Sequence, residues 1–162
     1  LNLSTQTIVD PLRCRVRVGI YDPSTGYWLT WDTGKQYYDE SGHFWVVSTT
    51  PTSYIKTTSP TGSEVFSPTD TIHVTWEVAG FTGTEGKIRV LFFNGQSWSV
   101  VAQNIDLANG SFDLNLSTQT IVDPLRCRVR VGIYDPSTGY WLTWDTGKQY
   151  YDESGHFWVI PH

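Results

Sequence analysis

Hydrophobic and polar positions along this chain alternate with a period of two. From Ile72 to Val78 the residues Ile72, Val74, Trp76 and Val78 are apolar, and His73, Thr75 and Glu77 between them are polar. That period is the signature of a β-strand with one buried face. The same alternation groups Ile88, Val90 and Phe92 in 87–93, and Phe112, Leu114 and Leu116 in 111–116. In 125–134 it sets Cys127, Val129, Val131 and Ile133 on one face and Arg126, Arg128 and Arg130 on the other. Tyr54–Thr57 is short and soon meets Pro60, which predicts an edge strand. Ser97–Gln103 follows Asn94-Gly95, a pair suited to the positive φ of a tight hairpin. Two further short strands are expected, Tyr140–Trp144 after the DPSTG turn and His156–Ile160. No stretch repeats with the period of a helix.

About eight short strands separated by turn signals predict an all-β protein, an antiparallel sandwich of the immunoglobulin or fibronectin type III kind. Trp76 is the expected aromatic anchor of its core. Each large apolar side chain turned inward would contribute roughly 1.5–3 kcal/mol.

An internal repeat changes the picture. Residues 1–46 read LNLSTQTIVDPLRCRVRVGIYDPSTGYWLTWDTGKQYYDESGHFWV, and residues 114–159 read the same, letter for letter. Leu1 corresponds to Leu114, an offset of 113 residues, which is the size of one β-sandwich domain. Perfect identity implies recent duplication, gene conversion or construction. Residues 1–46 are therefore expected to be the C-terminal half of a preceding Ig-like repeat, 47–53 a Ser/Thr/Pro linker, and 54–162 a complete repeat. Two C-terminal halves share one N-terminal half, so one of them lacks its covalent partner. Alone it would expose an apolar sheet face and strand edges. The sequence is expected to be a window on a longer array. Pairing of halves within a repeat is favoured by the short 113–114 junction; pairing of 1–46 with 54–113 across the linker is the alternative.

Composition narrows the function classes. A formal net charge of -5 gives no basic footprint for nucleic acid. No run of 18 apolar residues is present, so no membrane-spanning helix is expected. Aromatics reach 15%, with eight Trp and nine Tyr, which suits strands.

The stretches TSPTGSEVFSPTDTIHVTWEV (58–78), KIRVLFF (87–93), LRCRVRVGIYD (125–135) and YYDESGHFWVI (150–160) carry a resemblance. Together they resemble the Ig-like domain of the Ser/Thr-rich GPI-anchored membrane protein family, which includes yeast cell-wall proteins linked to β-glucan assembly. The resemblance covers 58–160. It implies an extracellular, cell-surface or wall-associated sandwich and transfers no catalytic residue.

Candidate chemistry is sparse. Cys14 and Cys127 are one repeat position; a disulfide between repeats competes with a buried thiol, and alternation with Val129 and Val131 favours the thiol. The row Arg126, Arg128 and Arg130, joined by Arg89, suits an anionic glycan, carboxylate pairing within the domain, or an interface with a neighbouring repeat. In a negatively charged chain the pairing readings lead. The aromatics Tyr134, Tyr140, Trp141, Trp144, Tyr150, Tyr151 and Trp158 are denser than one core needs. They suit a cluster under a loop or a protein interface, with stacking on sugar rings a lesser alternative. Asn2, Asn109 and Asn115 open Asn-x-Ser/Thr sequons, and the serines and threonines of 48–59 are O-glycan candidates. His43, His73, His156 and His162 lack metal-ligand spacing, and there is no nucleophile elbow or phosphate loop. Asp145, Asp152 and Glu153 fall in a turn-rich segment, where solvated carboxylates are expected. No catalytic residue, metal or cofactor is assigned.

The expected function is structural: Ig-like units strung into an extracellular stalk or filament, glycosylated, with neighbouring identical repeats as partners. The alternative is a carbohydrate-binding or adhesive module using the aromatics of 140–158.

Overall fold

The computed structural model describes residues 14–25, 27, 38–43, 53–143 and 149–160. In chain order the strands are β1 (Arg17–Gly19), β2 (Tyr38–Glu40), β3 (Tyr54–Ser59), β4 (Val65–Phe66), β5 (Thr71–Ala79) and β6 (Lys87–Asn94). They continue with β7 (Trp98–Ile105), β8 (Ser111–Asn115), β9 (Cys127–Tyr134), β10 (Tyr151–Glu153) and β11 (Trp158–Val159). The protein is all-β, and no helix among the described residues is long and apolar enough to cross a membrane.

One antiparallel sheet has the order β10-β9-β6-β7 and another β3-β5-β8; β11 pairs with β4 in parallel. β3 lies at a sheet edge, where its approach to Pro60 costs no ladder bond. The alternating positions of β5, β6 and β9 turn inward as their pattern requires. Ile72, Val74, Trp76, Ile88, Val90, Phe92, Val129, Val131 and Ile133 enter one core with Leu114, Leu116 and Phe157. Cys127 is fully buried among them. At the β6–β7 hairpin the Asn94 side chain accepts the amides of Gln96 and Ser97, at 3.0 Å each, and Gly95 takes φ +92°.

The half-unit 54–113 pairs with the copy that follows it. β6 and β9 run antiparallel over their whole length, from Lys87 against Tyr134 to Asn94 against Cys127. Among the described residues no strand of the first copy joins a sheet with a strand of 54–113. Two strands were not legible in the alternation, β4 and β10. The strand expected at Tyr140–Trp144 is reduced to isolated bridges, Trp141 with Tyr134 and Thr143 with Gln149. The Asp135 amide donates to the Tyr140 carbonyl and the Leu142 amide to the Ile133 carbonyl, both at 2.9 Å, so this segment turns back along the end of β9. Trp144, and residues 47–52 of the expected linker, lie outside the described residues.

The described parts of the first copy adopt the local structure of the second. Arg17 faces Glu40, Val18 faces Asp39 and Gly19 faces Tyr38, as Arg130 faces Glu153, Val131 faces Asp152 and Gly132 faces Tyr151. The Ser41 amide donates to the Val16 carbonyl at 2.9 Å, and Ser154 to Val129 at the same distance. In the DPST turns, Asp22 accepts the Ser24 amide and Asp135 the Ser137 amide, both at 2.8 Å. The local sequence thus sets the hairpin, but the surroundings differ. Val131 and Ile133 are 0% exposed and Tyr134 3%, whereas their counterparts Val18, Ile20 and Tyr21 are 71%, 59% and 57% exposed. In the second copy Val131 and Ile133 enter the core, and on the other face Arg89 of β6 lies over Tyr134, whose hydroxyl donates to Asn104 of β7 at 2.5 Å; among the described residues β1 forms a sheet only with β2.

Candidate inter-repeat interface

The most concentrated polar cluster among the buried residues is Asp152, Glu153, Ser154 and His156, running from the end of β10 to the Phe157 core position. Its backbone is fixed on both sides. The Val129 amide donates to Ser154 Oγ at 3.0 Å, and the Ser154 amide donates to the Val129 carbonyl at 2.9 Å. Gly155 lies so close to the Thr61 carbonyl and the Gly62 Cα that a Cβ would meet them at 2.7 and 3.0 Å.

Glu153 is a charge hub. Its carboxylate accepts from Arg130 Nη2 at 2.5 Å and from Arg128 Nη1 at 3.4 Å within its own repeat. It also accepts from Arg15 Nη2 of the first copy at 2.5 Å. Burial alone would raise its carboxyl, but Arg130, Arg15 and Arg128 hold it below the usual value. Burial likewise lowers Arg128. Asp152 accepts the Thr57 amide at 2.8 Å through one oxygen, while the other lies 2.8 Å from His43 Nδ1 of the first copy. His156 lies 3.8 Å from Asp39. Burial, with Arg128 nearby, pushes the His156 ring down to about 4, despite Glu40 and Asp39.

The expectation that Asp152 and Glu153 are solvated is corrected: they are 5% and 7% exposed. The segment read as a polar turn because hydropathy does not register the distant partners, Arg15, Arg128, Arg130, Thr57 and His43, that satisfy its charges. Among the described residues no three His, Cys, Asp or Glu side chains gather as a metal group would.

The arginine row lies on the outer face of β9. Arg130 sits over Trp98 and Tyr151, 4.3 and 4.4 Å from the ring centres. Arg128 lies over Phe93 at 5.1 Å, and Arg89 over Tyr134 at 3.8 Å and Trp141 at 5.5 Å. Interleaved cations and rings of this kind attract each other more strongly as water is excluded. Arg126 is half-buried at the start of β9. Among the aromatics, Trp141 tilts against Tyr151 with ring centres 5.9 Å apart, and Tyr150 meets Phe81 edge-on at 4.9 Å. Tyr140 is 77% exposed. Gly132 makes room for this packing, since a Cβ there would stand 2.6 Å from both Trp141 and Tyr151.

Asn109 is exposed in a turn, and Asn115 is exposed at the end of β8, where its side chain accepts from the Ser117 amide at 3.0 Å and hydroxyl at 2.7 Å. Asn2 and Asp145 lie outside the described residues. Burial pushes the Cys127 thiol up to about 12, so it is an inert core group, and no disulfide forms among the described residues.

Scans against protein-family models, curated proteins and solved structures find no match to this chain.

Proposed function

We propose that this chain is part of an extracellular tandem-repeat structural protein, whose immunoglobulin-like units string into a stalk or filament at a cell surface. The observation that carries the reading is the contrast between the two copies. One sequence folds twice into the same hairpin, and only the copy followed back to a 54–113 half has its apolar face covered. In an array every C-terminal half receives such a cover from the sequence before it. Val18, Ile20 and Tyr21 would then add roughly 1.5–3 kcal/mol each on burial. Identical units serve where each has the same mechanical role, and their stability adds through neighbouring contacts. The exposed sequons at Asn109 and Asn115 fit glycosylation outside the cell.

The carbohydrate-binding alternative needs open ring faces. Arg89 and Arg130 already lie over Trp141 and Tyr151, and Phe81 abuts Tyr150. Tyr140 keeps an exposed ring.

Chains built with increasing numbers of the 113-residue repeat test the structural reading by negative-stain microscopy. Rods whose length grows in proportion to repeat number are expected. Compact particles with no axial order would contradict it.

A further inference from the structure

We propose that the Asp-Glu-Ser-Gly-His segment is a self-complementary joint, at which residues 39–43 of one repeat pair about a local two-fold axis with the identical residues 152–156 of the next. The contacts inside this one chain are reciprocal. His43 Nδ1 lies 2.8 Å from Asp152 Oδ1, and His156 Nδ1 lies 3.8 Å from Asp39 Oδ1. His43 corresponds to His156 and Asp39 to Asp152, so each histidine reaches for the other copy's aspartate. A Cβ on Gly42 would stand 3.4 Å from the Gly155 amide nitrogen, and one on Gly155 would stand 3.2 Å from the Gly42 amide nitrogen. Gly42 and Gly155 are again one repeat position. A residue that touches its own equivalent, in both directions, lies beside a two-fold axis.

The charges are matched in the same way. Each copy brings two arginines (Arg15 and Arg17, or Arg128 and Arg130) and two carboxylates (Asp39 and Glu40, or Asp152 and Glu153). Arg17 pairs with Glu40 at 2.5 Å within the first copy, as Arg130 pairs with Glu153 in the second. Arg15 crosses to Glu153 at 2.5 Å, and its counterpart Arg128 feels the charge of Glu40. Each face is therefore balanced in formal charge, and two like faces meet without net repulsion. Glycine at the axis lets the backbones approach closely. The departure from symmetry, 2.8 against 3.8 Å, follows from the surroundings: Thr57 anchors Asp152, while Asp39 instead takes the Ser63 hydroxyl at 2.9 Å.

An isologous contact saturates when two copies have met, whereas a head-to-tail contact propagates. Repeats joined this way associate two by two, and an array would have a structural period of two repeats instead of one. The joint is observed within a single chain, so its test needs no filament and is independent of the stalk reading.

The test is a pair of double-mutant cycles on the full chain, read as the opening equilibrium of the β2 amides by native-state hydrogen exchange. One cycle combines His43→Gln with Asp152→Asn, the other His156→Gln with Asp39→Asn. Coupling of about threefold or more is expected in the first cycle, and a smaller coupling of the same sign in the second, whose atoms lie 3.8 Å apart. Additivity within about twofold in the first cycle would overturn the joint, and a second-cycle coupling of zero or of opposite sign would overturn its two-fold character. Should Asp152→Asn unfold the sandwich, the unsubstituted chain decides by NMR: a nuclear Overhauser cross-peak between Gly42 Hα and the Gly155 amide is expected, and its absence contradicts the proposal.

Discussion

Val18 and Val131 are the same residue in the same local strand, and their side chains have opposite surroundings. An aspartate at Val131 would place a carboxylate in a core with no partner, so Val131→Asp should cost about 3 kcal/mol or more, if the chain folds at all. Val18→Asp should change stability by no more than about 0.5 kcal/mol in the same urea titration. His156 supplies a second residue-scale prediction. Its ring is held down at about 4, below the ordinary 6.5, so folding favours the neutral form. The unfolded chain binds the proton first. The stabilisation is complete above the ordinary value and is lost as pH falls through it towards 4, on the order of 3 kcal/mol. Glu153 acts in the same direction in more acidic solution, because its folded-state value is also depressed. Urea midpoints measured across this range should fall with acidification, and His156→Gln should flatten the slope.

At the scale of elements, the β6–β7 hairpin turns on Gly95. Its φ of +92° is unfavourable for any residue with a Cβ, and a Cβ there would collide with Asp123. Gly95→Ala should therefore destabilise by about 2 kcal/mol or more in thermal unfolding. This hairpin was legible from Asn94-Gly95, as β5, β6, β8 and β9 were from their alternation, because each strand has one face in the core and the other near solvent. β4 and β10 were not. β4 spans two residues and is held by pairing with β11, a contact between distant parts of the chain. β10 reads Tyr-Asp-Glu; its buried carboxylates are satisfied by Arg15, Arg128 and Arg130 at Glu153 and by Thr57 and His43 at Asp152, an arrangement that no local window contains. For the same reason the polar joint escaped the sequence reading: identity of the copies was plain, but that they touch was not. The arginine row and the aromatics were each legible. Their stacking upon one another depends on β6, β7, β9 and β10 lying side by side.

For the whole molecule, the two copies act as an internal control. Sequence, hairpin register and turn bonds are shared, yet Val18, Ile20 and Tyr21 are exposed where Val131, Ile133 and Tyr134 are buried; on the proposed reading, the 54–113 half that pairs with the second copy makes the difference. The central claim is that this half, supplied by a neighbouring repeat, completes the first copy. Hydrogen exchange of the amides in 17–21 against those in 130–134 tests it most directly, in the chain as it stands and in one extended by a copy of residues 54–113 placed before Leu1. The account predicts that the first-copy amides exchange about a hundredfold faster in the chain as it stands, and approach the protection of the second copy after extension. Equal protection of the two copies without the extension, or exposure unchanged by it, would contradict the account.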